Sequence, residues 1–314
     1  MDYRVVKYNS SYYDQWNRFV ENSKNGTFLF HRDFMEYHQD RFDDFSLLVY
    51  RVQKLVAVFP ANIVDNGVYS HQGLTYGGLV FEATISGDKV FHVFKTLINY
   101  LKEAKIEKLV VKQIPEFYCT QPNFEVPYEV SKYDYKLKRE MVLAINYDKE
   151  LVIHKSKLKS KRRGDKFDFK IKENDSFAIF WNNVLQPKLK ERYGASPVHT
   201  LAEIEYLKVL FPNNIKQYNI YLKEEVLAGI TVFDTGRVIK SQYGATTKQG
   251  EKLRALDYLF LFLIEKSKKE GRQFFSMGTV TDKSEMGFNE GLLKQKEELG
   301  CNIHIQDTFS LHLA

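Results

Sequence analysis

One order of elements occurs twice in this chain, and that repeat limits the fold more than any single motif does. In residues 218–300, Asn219-Ile220-Tyr221-Leu222 precedes a turn at Lys223-Glu224-Glu225, and an apolar strand pattern follows over 226–233. A third strand pattern, 238–245, feeds a polar loop at 246–252, an apolar helix over 253–269, another strand and a glycine-punctuated loop. A shift of 171 residues lays Lys54-Leu55-Val56-Ala57 on Glu225-Val226-Leu227-Ala228, and Ser70-His71-Gln72-Gly73 on Ser241-Gln242-Tyr243-Gly244. After the helix the shift is 165, with Ile106-Glu107-Lys108 on Gly271-Arg272-Gln273. The first copy is therefore expected to carry about six more residues between strand and helix. Such self-similarity predicts an internal duplication, and the alternation of strands and helices predicts an α/β (α+β) chain.

Composition excludes several classes. The chain has 314 residues, enough for two domains, and its 44% hydrophobic content is ordinary for a globular protein. Cys119 and Cys301 lie in different halves, away from any metal-ligand spacing, which argues against a disulfide framework or a zinc site and for a reducing, cytoplasmic compartment. No apolar leader follows Met1, and the most apolar helix core, 256–264, is too short and too polar to span a bilayer. The eight histidines are scattered, so no metal is expected. Walker loops, G-x-G-x-x-G and G-x-S-x-G are absent from the sequence, which speaks against nucleotide hydrolysis, dinucleotide chemistry and a serine hydrolase.

The net charge of +6 is local. Residues 155–172 carry +7, leaving −1 for the rest of the chain. In that segment Lys155, Lys159, Arg162 and Arg163 recur at helical spacing, with Leu151 and Leu158 on the other side, and a basic helical segment is expected over 154–172. It suits a phosphate-bearing donor, an RNA or an anionic membrane surface, although most such runs are solvated faces. A second feature is the loop Gly287-Phe288-Asn289-Glu290-Gly291, where glycines allow close approach of backbone and ligand. A helix is expected from about Gly291, and its N-terminus favours anions. Lys294 and Lys296 are two residues apart, so only one is expected to face a site. Thr200-Leu201-Ala202-Glu203 has capping-box spacing. His71, His199 and Glu203 are possible proton acceptors, although a lone histidine on a strand is more often a satisfied core residue.

Phe275-Ser276-Met277-Gly278, Asn289-Glu290-Gly291-Leu292, Gln295-Lys296-Glu297 and Gly300 together resemble the C-terminal pattern of Fem-type members of the GNAT N-acyltransferase superfamily. The run from Ser156 to Arg163 resembles the basic stretch that opens the second half of such proteins, and Ser276 stands where the pattern has aspartate. The resemblance implies two tandem GNAT-like domains, each a mixed central sheet flanked by helices. The acceptor side would be 1–147 and the donor side 148–314. It implies transfer of an acyl or aminoacyl group to an amine on a small molecule or glycan, often an amino sugar or cell-envelope precursor. The donor would be acyl-CoA or aminoacyl-tRNA, with tRNA as a partner, no transmembrane segment, and peripheral membrane contact compatible with the basic run. Residues 249–255 do not fit a CoA pyrophosphate loop. Tyr243, Glu203 and His199 are the candidate catalytic groups. His71, Gln242, Gly244, Asn289, Gly291, Lys294, Lys296, Lys159, Arg162 and Arg163 are the candidate substrate- or donor-binding groups. The other reading is a non-catalytic binding module for a glycan or envelope precursor.

Overall fold

A computed structural model describes residues 3–313, and the chain divides into two compact units. The first holds the residues up to Glu140 together with those from Ile305 onward; the second is Met141–His304.

In the first unit an antiparallel ladder runs in the order Tyr3–Lys7, Leu47–Arg51, Lys54–Phe59 and Val80–Phe81. A second ladder pairs Gly67–Tyr69 in parallel with Lys108–Lys112, which pairs antiparallel with residues 308–312 of the chain's last strand. Helix Gly87–Glu103 covers the core because Val90, Val93, Phe94, Leu97, Ile98 and Leu101 recur every three or four residues and are all buried. Each such side chain contributes about 1.5–3 kcal/mol by leaving water.

The second unit has one sheet, in the order Phe169–Asn174, Ile215–Leu222, Glu225–Asp234, Val238–Thr246, Phe274–Thr279, and then residues 142–146. Every pair is antiparallel except Val238–Thr246 with Phe274–Thr279. Helix Ala255–Lys269 buries Leu259, Phe260, Leu263 and Ile264 against Ile220, Ile230, Ile239 and Phe275.

The two units repeat one another in register. Arg51↔Lys54, Tyr50↔Leu55, Val49↔Ala57 and Leu48↔Val58 become Leu222↔Glu225, Tyr221↔Val226, Ile220↔Ala228 and Asn219↔Gly229, each shifted by 171, and the bulge falls at the same place. The parallel pairs correspond likewise: Gly67, Val68 and Tyr69 match Val238, Ile239 and Lys240. Their partners Lys108, Leu109 and Val110 match Phe274, Phe275 and Ser276 at a shift of 166. The pairs Ala57↔Phe81 and Ala228↔Thr246 then show a shift of 165 on one side. The six extra residues of the first copy therefore lie inside the strand, between Tyr69 and Val80, and not between strand and helix as the sequence suggests. The two ends of what is one strand in the second unit are separate short strands in the first.

Two other sequence expectations change. The basic segment is a helix only over Lys155–Gly164; its second half is the strand Phe169–Asn174. The expected loop at 246–252 holds a short helix, Lys248–Leu253, capped by the Thr247 side chain. Gly250 seats this helix on its neighbour, since a Cβ there would meet Leu227 O at 2.3 Å. Helix Ala178–Phe180 continues through a π-turn, Trp181–Leu185, into helix Gln186–Tyr193.

Candidate active site

Two parallel strands that part frame the candidate site of the second unit. Val238–Thr246 and Phe274–Thr279 pair at Val238↔Phe274, Ile239↔Phe275 and Lys240↔Ser276, and then separate. Both strands are irregular where they part. Gln242 has no partner between Tyr243, opposite Thr231, and Ser241, opposite Val232. Met277 is the extra residue between Ser276 and Gly278, and Gly278 takes φ +73. Bulges turn a strand and re-aim its side chains. Beyond the last shared pair, 241–246 keep partners on Glu225–Asp234 alone, so alternate N–H and C=O groups of the free edge face open space.

That space is a cleft of about 710 Å³. Its walls come from both strands, from helices Lys248–Leu253 and Ala255–Lys269, from helix Gln186–Tyr193 and from helix Glu290–Glu298. Gln242, Gly244, Gly291, Lys294 and Lys296 all line it. Lys294 is exposed, whereas Lys296 is 5% exposed. The Lys296 ammonium donates to the carbonyls of Gly278 at 3.2 Å and Thr279 at 2.9 Å, and no carboxylate pairs with it among the described residues. Burial lowers its pKa to about 8, with the nearby Cys301 opposing the shift, and burial raises the Cys301 thiol to about 12. An ammonium has three protons to donate, so one is left for a ligand after the two carbonyls.

Sequence reasoning missed the ion pair at the other end of the cleft. Lys157 and Asp257 are both buried and lie 2.9 Å apart, with Glu298 3.6 Å from the same ammonium. In the sequence Lys157 is one charge of the basic run. It faces inward together with Gly164, whose missing Cβ leaves room for the Tyr258 ring. Leu158, expected on the inner side, is 40% exposed. Asp257 occupies the first turn of helix Ala255–Lys269, so the positive end of that helix already has a carboxylate of the chain itself. An aspartate inside an otherwise apolar helix pattern was the available signal.

The remaining candidates lie elsewhere. Tyr243, His199 and Glu203 form one cluster apart from the cleft lining. The Tyr243 hydroxyl accepts from the His199 backbone N–H at 3.2 Å and lies 2.6 Å from His199 Nδ1. Its ring meets Trp181 edge-on at 5.2 Å, and burial raises its pKa. The Glu203 carboxylate accepts from Thr200 N–H at 2.7 Å in a capping box. Asn289 caps helix Glu290–Glu298, its side chain accepting from Leu292 N–H at 2.8 Å. Lys159, Arg162 and Arg163 are on the exposed face of helix Lys155–Gly164. His71 belongs to the first unit, where a separate cavity surrounds it.

No protein-family model and no curated protein matches the sequence. Solved structures do match. FemX superposes with a TM-score of 0.69 at 12% identity, covering 98% of this chain and 97% of its own. The L-PGS from Bacillus licheniformis gives 0.62 at 13% identity, over 96% of this chain and 91% of its own. A tandem GNAT protein from the clavulanic acid biosynthesis pathway gives 0.53 at 7% identity, over 100% and 99%. The fold is Fem-like. At these identities the likeness extends to the fold alone, and a Fem-like, tandem GNAT fold accounts for both the mixed sheets and the repeated register. Among the described residues no helix is long and apolar enough to cross a membrane, and no His, Cys, Asp and Glu cluster suits a metal ion.

Proposed function

We propose that the protein transfers an acyl or aminoacyl group to an amine, with the donor held in the cleft of the second unit. The observation that carries this reading is the free edge of the parting strands next to the buried Lys296. Attack of a neutral amine on the donor carbonyl forms a tetrahedral oxyanion. That attack makes the C–N bond; collapse then restores the carbonyl and breaks the ester or thioester bond, and the amine proton passes to the departing oxygen or sulfur. Backbone N–H groups fixed on a strand edge, and an ammonium in a poorly hydrated place, stabilise such an oxyanion without reorganising. Lys296, with one proton uncommitted, is the residue assigned to that role.

Two features favour an aminoacyl-tRNA over acyl-CoA as donor. The start of helix Ala255–Lys269, a natural seat for a pyrophosphate, is already occupied by the paired side chains of Asp257 and Lys157. Lys155, Lys159, Arg162, Arg163 and Lys166 are exposed and make no ion pair among the described residues, which suits a polyanion. The acceptor class is an amine on a small molecule or glycan, cell-envelope precursors included.

The protein would be incubated with charged tRNAs or acyl-CoAs and a panel of amines, and amide products followed by mass. Lys296→Met is expected to lower turnover by about 100-fold or more, the usual cost of losing one oxyanion donor. Binding of tRNA should weaken with salt, and Lys159, Arg162 and Arg163 changed to Ala should flatten that dependence. Donor binding without any amide product would instead support the non-catalytic module, a reading favoured by the fully buried Ser276 standing where the family pattern has a carboxylate.

A further inference from the structure

The first unit contains a cavity of about 420 Å³ with charged and polar walls. The inserted segment between Tyr69 and Val80 builds much of it. His71, at its wall, is 5% exposed and takes φ +60, a left-handed conformation that is uncommon for any residue but glycine. Its buried Nδ1 meets no hydrogen-bond partner. A buried polar atom without a partner is rare enough to need an explanation. The charges around it are uneven. Lys138 and Glu140 pair with each other at 3.2 Å, and Lys112, half-buried on strand Lys108–Lys112, makes no ion pair among the described residues.

We propose that this cavity is a second ligand site that takes a small molecule through one oxyanion, a carboxylate or a phosphate, held by Lys112 and His71. Burial lowers the pKa of Lys112, Glu140 opposing and Lys138 reinforcing the shift, so a bound anion would relieve a cation that the fold leaves short of compensation. His71 is neutral, its pKa pushed down to about 3 by burial and by His38 and Arg32. A neutral imidazole can donate one N–H to the same oxyanion or to a hydroxyl next to it. Glu140 on the same wall disfavours a second negative charge. The site is in the other unit from the transferase cleft, and its test reads binding alone, so it stands or falls independently of the proposed reaction.

Calorimetry on the full chain with inorganic phosphate, glucose 6-phosphate, glucuronate and glucose at millimolar concentrations decides the matter. Saturable binding of phosphate or carboxylate probes, tenfold weaker or worse in Lys112→Met, is the expected result. His71→Asn, which tolerates the same backbone angle, should weaken binding several-fold, and in the unsubstituted chain the His71 ring nitrogens should shift in NMR when the ligand is added. Comparing the two phosphates with glucuronate separates the sources of the oxyanion. Equal binding of glucose, no binding by any probe, or binding unchanged in both folded variants would overturn the proposal.

Discussion

Two lysines two positions apart have opposite fates. Lys294 is exposed and Lys296 is buried in the wall of the cleft. The spacing in sequence shows that they face different ways, but which one turns inward depends on the helix seating set by Leu299 and Cys301, both buried. Burial gives Lys296 a testable signature. Below pH 8 it is protonated both folded and unfolded, and the cost of burying its charge is fully present. Between pH 8 and its ordinary 10.5 the unfolded chain binds more protons, so stability rises with pH, by up to about 1.4 kcal/mol per unit. Cys301, raised from 9.0 to about 12, acts in the opposite sense above pH 9. Denaturant melts should therefore show the rise most clearly from pH 8 to 9, and Lys296→Met should remove it. A rise that persists in the variant would mean that the lysine titrates normally. Asn289 and Glu203 were legible in sequence as helix-terminus residues, and as caps they do what their spacing says.

At the scale of elements, the strand and helix order was readable because apolar periodicity is local, and the long helices and strand pairs follow it. The inner face of helix Lys155–Gly164 was not readable. A run of like charges looks solvated in any rotation, and the buried member is identified only by a carboxylate 100 residues away. That dependence makes Lys157→Met informative. It leaves Asp257 buried without its main partner, and is expected to cost about 3–5 kcal/mol in urea unfolding. Adding Asp257→Leu should restore much of the loss, because two apolar side chains of similar size replace the pair. If the double variant is no better than the single one, the contribution of Asp257 to the helix start outweighs the pair.

At the scale of the molecule, the shift of 171 announced the duplication, and the paired residues fix it strand by strand. The choice of closing strand lay beyond sequence reasoning. Residues 308–312 close the sheet of the first unit and 142–146 that of the second, in matching register: Leu311↔Leu109 and Ile145↔Phe275. No local pattern names a partner so far along the chain. A chain ending before Asp307 should lose slow hydrogen exchange at Lys108–Lys112 while Val238–Thr246 keeps it, as read by mass spectrometry. Equal protection of both strands would show that the last strand is dispensable.

The inserted segment of the first unit also bears on the cleft of the second. There the chain itself fills the gap between the parted strands. Ser70 N–H reaches Val110 O at 2.8 Å, Lys112 N–H reaches Ser70 Oγ at 2.8 Å, and Gly77 N–H reaches Lys112 O at 2.7 Å. By their partners on the closing strands, Lys112 corresponds to Thr279, whose carbonyl is one of the two that Lys296 holds. One copy thus carries its own occupant, a covalent cast of the hydrogen-bonding pattern along this edge. The other copy replaces one contact of that cast with an ammonium, and on the proposed reading the donor takes the remainder.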